Sequence, residues 1–129
     1  MIDFATLNID SVDQLVSVLE DELGGVSTQW WNTNKGVVAG YLRSLAEATM
    51  QTRTALFNQQ IPPEAADMII HNQELAFNQT LQFTQFMTLV LAQQLLNAAF
   101  KVIGWVIFNK TGINLAPNLV QPTTPGGAD

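Results

Sequence analysis

Glu64, Asp67, His71 and Glu74 stand at offsets of 0, 3, 7 and 10, which puts three carboxylates and an imidazole on one face of a helix. Such a row can hold a transition metal, and paired Glu-x-x-His units on different helices build di-iron centres. The pattern here is incomplete. His71 is the chain's single histidine, and the residue three before it is Met68. A solvated first helical turn, whose dipole favours Glu64 and Asp67, accounts for the same residues, and no metal is expected. Other catalytic layouts are missing as well. Ser11, Ser17, Ser27 and Ser44 have no strand–turn–helix elbow around them, and Gly36 and Gly40 are not followed by the Lys and Ser/Thr of a phosphate loop. Asn78-Gln79-Thr80 and Asn109-Lys110-Thr111 match glycosylation acceptors, the first inside an expected helix, and both are read as incidental. No catalytic or cofactor-binding residue emerges, and the chain reads as non-enzymatic and cofactor-free.

Composition narrows the classes further. The 129 residues include 11 acidic and 5 basic side chains, for a net charge of −6. Five scattered cations cannot supply a phosphate-binding surface, so direct nucleic-acid recognition is not expected. The absence of cysteine excludes a disulfide framework and a thiolate zinc site. Only 12% of residues are charged while 47% are apolar, a balance that opposes disorder and is low in charge for the surface of a free monomer. Asp3, Asp10 and Asp13 follow Met1 with no basic start, so the expectation is synthesis in the cytoplasm without a signal peptide.

The elements that must carry these residues are helical throughout. Ser11 and Gln14 form a capping-box pattern, and Val12, Leu15, Val16, Leu19 and Leu23 then trace one apolar face up to a stop at Gly24-Gly25. Residues 26–36, with Trp30 and Trp31, read as a connection. A second helix fits residues 35–60, with Val38, Tyr41, Leu42, Leu45, Ala48, Thr52, Ala55 and Leu56 on one face, and ends before Pro62-Pro63. Neither Gly nor Pro interrupts Glu64 to Ile103, which predicts one very long helix over about 63–109, roughly 69 Å at 1.5 Å per residue. So long a helix has too little of its own chain to cover it, and homo-oligomerisation into a helical bundle or ring is the expected answer. The predicted organisation is a single all-α domain over 1–110, followed by an extended or disordered Pro/Gly-containing tail over 111–129.

The stretch between Glu74 and Lys101 carries no charge, and the segment from Phe86 to Phe108 is long enough, as a helix, to match a bilayer core of about 30 Å. On one continuous helix, Asn78, Gln82, Gln85, Gln93, Asn97 and Lys101 form a polar stripe that suits a lumen or a helix interface. Phe86, Val90, Leu91, Leu95, Val102 and Val106 form an apolar face toward lipid or neighbouring subunits. Trp30, Trp31 and Trp105 are candidate anchors at an interface. The same pattern describes the centre of a protein-only bundle, in which the amides pair across helices.

This layout resembles that of small helical virion proteins of tailed phages, and more narrowly the internal proteins that short-tailed phages eject ahead of their DNA. The resemblance rests on the lack of Cys, the uncharged Gln/Asn/Thr/Ala-rich helix from Leu75 to Phe100, the hydrophobic end from Val102 to Phe108, and the Pro/Gly tail. It implies a protein packaged in the virion beside other virion proteins. After delivery it would assemble as a ring or conduit in the host cell envelope, with a membrane as a further partner. A soluble capsid, tail or adaptor component is the alternative, and a holin-like lysis protein a second. Small secreted helical hairpins carry a Trp-x-Gly turn, but no glycine stands two places after Trp30 or Trp31.

Overall fold

The computed structural model describes residues 3–115. A short 3₁₀ turn, Phe4–Thr6, precedes α1 (Val12–Val26), α2 (Thr28–Phe57), α3 (Pro63–Leu81) and α4 (Leu89–Thr111). The fold is all-helical, with no strand among the described residues.

Local chemistry sets most of the helix ends. Ser11 Oγ accepts from Gln14 N at 3.1 Å, and Gln14 Oε1 accepts from Asp10 N, so the cap of α1 is reciprocal. The helix does not stop at Gly24-Gly25 but runs on through both glycines to Val26. There Ser27 both ends α1 and caps α2, its Oγ accepting from Trp30 N at 3.2 Å. The expected connection over 26–36 is therefore mostly helix. Asn32, Thr33, Asn34 and Gly36 are weak helix formers. The burial of Trp30, Asn34, Val38 and Leu42 at four-residue steps overrides that weakness. Pro63 opens α3 at a position where its missing N–H costs nothing. Gly112, at φ +75°, closes α4 with its N–H on Phe108 O.

The helix expected over 63–109 is not continuous. It breaks at residues 82–88, and α4 folds back toward α3. The reason lies in packing. Val102, Ile103, Gly104, Trp105, Val106 and Ile107 are consecutive and all buried, so the C-terminal half of α4 is covered on every side. A straight helix would leave that segment bare. Folding back lets α1, α2 and α3 surround it, and the burial outweighs the local preference for helix.

Aromatic contacts tie the elements together. Tyr41 of α2 stacks on Phe77 of α3 at 5.2 Å between centroids, and Phe77 meets Phe100 of α4 at 6.1 Å. The N-terminal segment straps over the far end of α4. Phe4 stacks on Trp105, and Asn109 Nδ2 donates to the carbonyls of Phe4 and Leu7. An exposed ion pair joins Arg43 to Asp13, linking α2 to α1. Just after α4, Leu115 is buried and Ile113 half-buried, so the first residues of the expected tail pack on the bundle. Its remainder, residues 116–129, lies outside the described residues.

Two outcomes test this packing. Ile103→Ala should lower the unfolding free energy by about 2–5 kcal/mol in urea titrations followed by circular dichroism. Tyr41, the single tyrosine, is pushed up to about 12 by burial, and its hydroxyl donates to Gln73 O. The unfolded phenol titrates at about 10. Its contribution to stability is thus present below pH of about 10 and lost as the pH rises toward the folded value. Ultraviolet absorbance titration should show a midpoint near 12 for the native protein and near 10 in denaturant.

Candidate functional site

The break between α3 and α4 contains neither Gly nor Pro: it reads Gln82-Phe83-Thr84-Gln85-Phe86-Met87-Thr88. Threonines supply the local hydrogen bonds. Thr84 Oγ1 donates to Leu81 O at 2.7 Å, and Thr88 Oγ1 accepts from Leu91 N at 3.0 Å as the cap of α4. Two residues one turn apart on α2 hold the turn from the inside. The Trp30 indole N–H donates to Thr84 Oγ1 at 3.0 Å. Asn34, only 3% exposed, grips the backbone of Gln85 with both ends of its amide: Nδ2 donates to Gln85 O at 3.1 Å and Oδ1 accepts from Gln85 N at 2.9 Å. Asn34 Nδ2 also donates to Trp30 O.

This clasp fixes a strained backbone. Phe86 sits at φ +64°, in the left-handed region. A Cβ makes that region costly by roughly 1–2 kcal/mol, and a bulky side chain there marks a site where the surroundings dictate the conformation. The conformation turns apolar side chains outward. Phe83 is 87% exposed, Phe86 66%, Leu89 85% and Val90 68%. Single exposed apolar residues are ordinary, but these four are the most exposed large apolar side chains among the described residues, and all lie in or beside the turn. This region carries no charge, lying inside the uncharged stretch between Glu74 and Lys101.

The residues singled out from sequence fall in different places. The stripe is cut in two. Asn78 lies on α3 with Gln82 just past its end, Gln82 Nε2 donating to Asn78 Oδ1, and Gln85 lies in the turn. Gln93, Asn97 and Lys101 lie on α4, with Gln93 Nε2 donating to Asn97 Oδ1 and the Lys101 ammonium over the Phe4 ring. These side chains thus do not form one line. The apolar face divides as well. Phe86 and Val90 are exposed and Leu91 half-buried, while Leu95, Val102 and Val106 belong to the core of the chain itself. Of the tryptophans, Trp30 and Trp105 are buried and Trp31 is half-buried, with its indole against Gly24 of α1. Glu64, Asp67 and His71 are exposed along α3, and the half-buried Glu74 carboxyl is raised above the usual range by burial. Among the described residues, no three His, Asp or Glu side chains converge.

Comparison of the chain with protein-family models, curated proteins and solved structures finds no match. The site therefore rests on its own geometry. Asn34, Phe83, Thr84 and Leu89 are the residues that sequence reasoning missed. Asn34 reads as loop chemistry beside Thr33 and Lys35, and only its four-residue spacing from Trp30 and Val38 marks it as inward-facing.

Asn34→Ala should lower stability by about 1–3 kcal/mol, because it strands the Gln85 backbone groups without their partner. Phe86→Gly should raise stability of the isolated monomer by about 0.5–1 kcal/mol, the relief of the left-handed strain less the added freedom of glycine in the unfolded chain. Chemical denaturation at low protein concentration measures both.

Proposed function

We propose that this chain is a non-enzymatic helical structural protein that assembles with copies of itself through the apolar end built by the 82–88 turn and the start of α4. The supporting observation is the outward display of Phe83, Phe86, Leu89 and Val90 on a turn held rigid by Asn34 and Trp30. A surface of this kind favours association: its burial releases water from apolar area, and its rigidity leaves little ordering entropy to lose. A protein at net charge −6 would resist self-contact elsewhere, but this end is free of charge. Taken with the resemblance described above, we assign the chain to the virion of a tailed phage, as a small internal component working beside other virion proteins. The exposed amides of Asn78, Gln82, Gln93 and Asn97 flank the apolar end and suit polar contacts at the rim of an assembly.

A second reading, the conduit in the host envelope, is favoured by one feature. Helix α4 is long and apolar enough to cross a membrane by length and composition. More than half of its apolar window is buried inside the bundle, as in the core helix of a water-soluble protein. Spanning would require α4 to leave that core, so the protein-only assembly is the better supported.

Size-resolved light scattering across a concentration series, paired with liposome flotation, tests the two readings. The expected outcome is a discrete oligomer that stays out of the lipid fraction. Flotation with dye release would shift the assignment to the conduit. A monomer at every concentration, indifferent to lipid, would overturn both.

A further inference from the structure

The 82–88 turn is an unusual hairpin. Every residue from Glu64 to Ile103 is compatible with continuous helix, yet the chain reverses there at the cost of a left-handed Phe86 and a cluster of exposed apolar side chains. Short hinges under strain favour exchange of an element between copies, because the open form keeps the same core contacts and loses the strain. We propose that two copies of this chain form a two-fold dimer by exchanging α4, with residues 82–88 straightening so that α3 and α4 become one helix. This rests on the self-association proposed above and names its partner and its geometry.

The exchange preserves what holds the fold. Each contact that α4 makes with α1, α2 and α3 is made again with the same residues of the other copy, so the burial of Val102 to Ile107 is unchanged. The dimer gives up the bonds from Asn34 to Gln85 and from Trp30 to Thr84. It gains a helical backbone at Phe86 and helix over 82–88 in place of an irregular turn.

The buried faces of the two helices are in register across the hinge. On one continuous helix Phe77, Leu81, Ala92, Leu95 and Ala99 fall on a single face, so α3 of each copy keeps its core contacts while its helix runs on into α4. No charge lies within this segment to oppose the approach of two acidic chains.

The test separates exchange from simple surface dimerisation. In the structure the Lys110 ammonium lies 4.5 Å from the centre of the Phe57 ring, so cysteines at these two positions sit on either side of the contact that α4 would exchange. The full-length Phe57→Cys/Lys110→Cys protein is refolded from denaturant at high concentration, sized by light scattering and treated with a short bis-maleimide. A dimeric mass with a covalent dimer on a denaturing gel is the expected result. A dimeric mass whose cross-linked product runs only as monomer overturns the exchange and leaves self-association standing. A monomeric mass throughout overturns both. Two hinge variants add direction. Phe86→Gly, which relieves the left-handed strain of the hairpin and disfavours continuous helix across the hinge, should weaken the dimer by about tenfold or more. Asn34→Ala, which removes a clasp present only in the hairpin, should tighten it by about tenfold, the equivalent of about 1.4 kcal/mol. Unchanged dimer affinity in both variants would also overturn the exchange.

Discussion

Val102 to Ile107 must be covered on all sides, and the remaining architecture follows from that requirement. A helix face needs one neighbour; a helix buried around its whole circumference needs several. Within one short chain the cover comes from three helices and the N-terminal strap, with Phe4 on Trp105 and Asn109 fastening the strap by its backbone. For α3 to contribute, the chain has to reverse direction between Leu81 and Leu89. The reversal is made without Gly or Pro, so it is strained at Phe86 and depends on the amide of Asn34 and the indole of Trp30. The core of the bundle and the exposed apolar end are thus two consequences of one demand.

Much of this is legible from the residues. The cap at Ser11, the apolar face of α1, the inward positions of α2, the start of α3 at Pro63 and the stop at Gly112 follow from spacing and end chemistry. Two features are hidden for related reasons. The N-terminal part of α2 is composed of weak helix formers, and its helicity comes from burying Trp30, Asn34 and Val38. The break at 82–88 carries no local breaker, and its cause lies further along the chain, in the burial of α4. Thr84 and Thr88, both able to cap a helix, are the only local signs, and threonine is common inside helices too. Patterns at helical spacing report which side chains share a face only as long as the helix continues. Once it breaks, the stripe of Asn78, Gln82, Gln85, Gln93, Asn97 and Lys101 divides between two elements.

That division changes the functional picture. A polar stripe running roughly 69 Å beside a lipid-facing belt would suit a conduit. A bundle whose most apolar helix is its own core, and whose four most exposed large apolar side chains lie at the uncharged α3–α4 turn, fits the proposed assembly through protein contacts better. The exchange proposed above would use the same sequence as one straight helix, with the second copy covering α4.

The apolar end, the clasp and the exchange all depend on the reversal at 82–88. It is tested most directly by the distance between Glu64 and Lys110, near the two ends of the α3–α4 hairpin. Spin labels at these positions, measured by pulsed dipolar spectroscopy in dilute full-length protein, should lie within about 30 Å of each other, as neighbouring antiparallel helices place them. A distance of roughly 69 Å, the span of an unbroken helix between the two labels, in protein that light scattering shows to be monomeric would contradict the account.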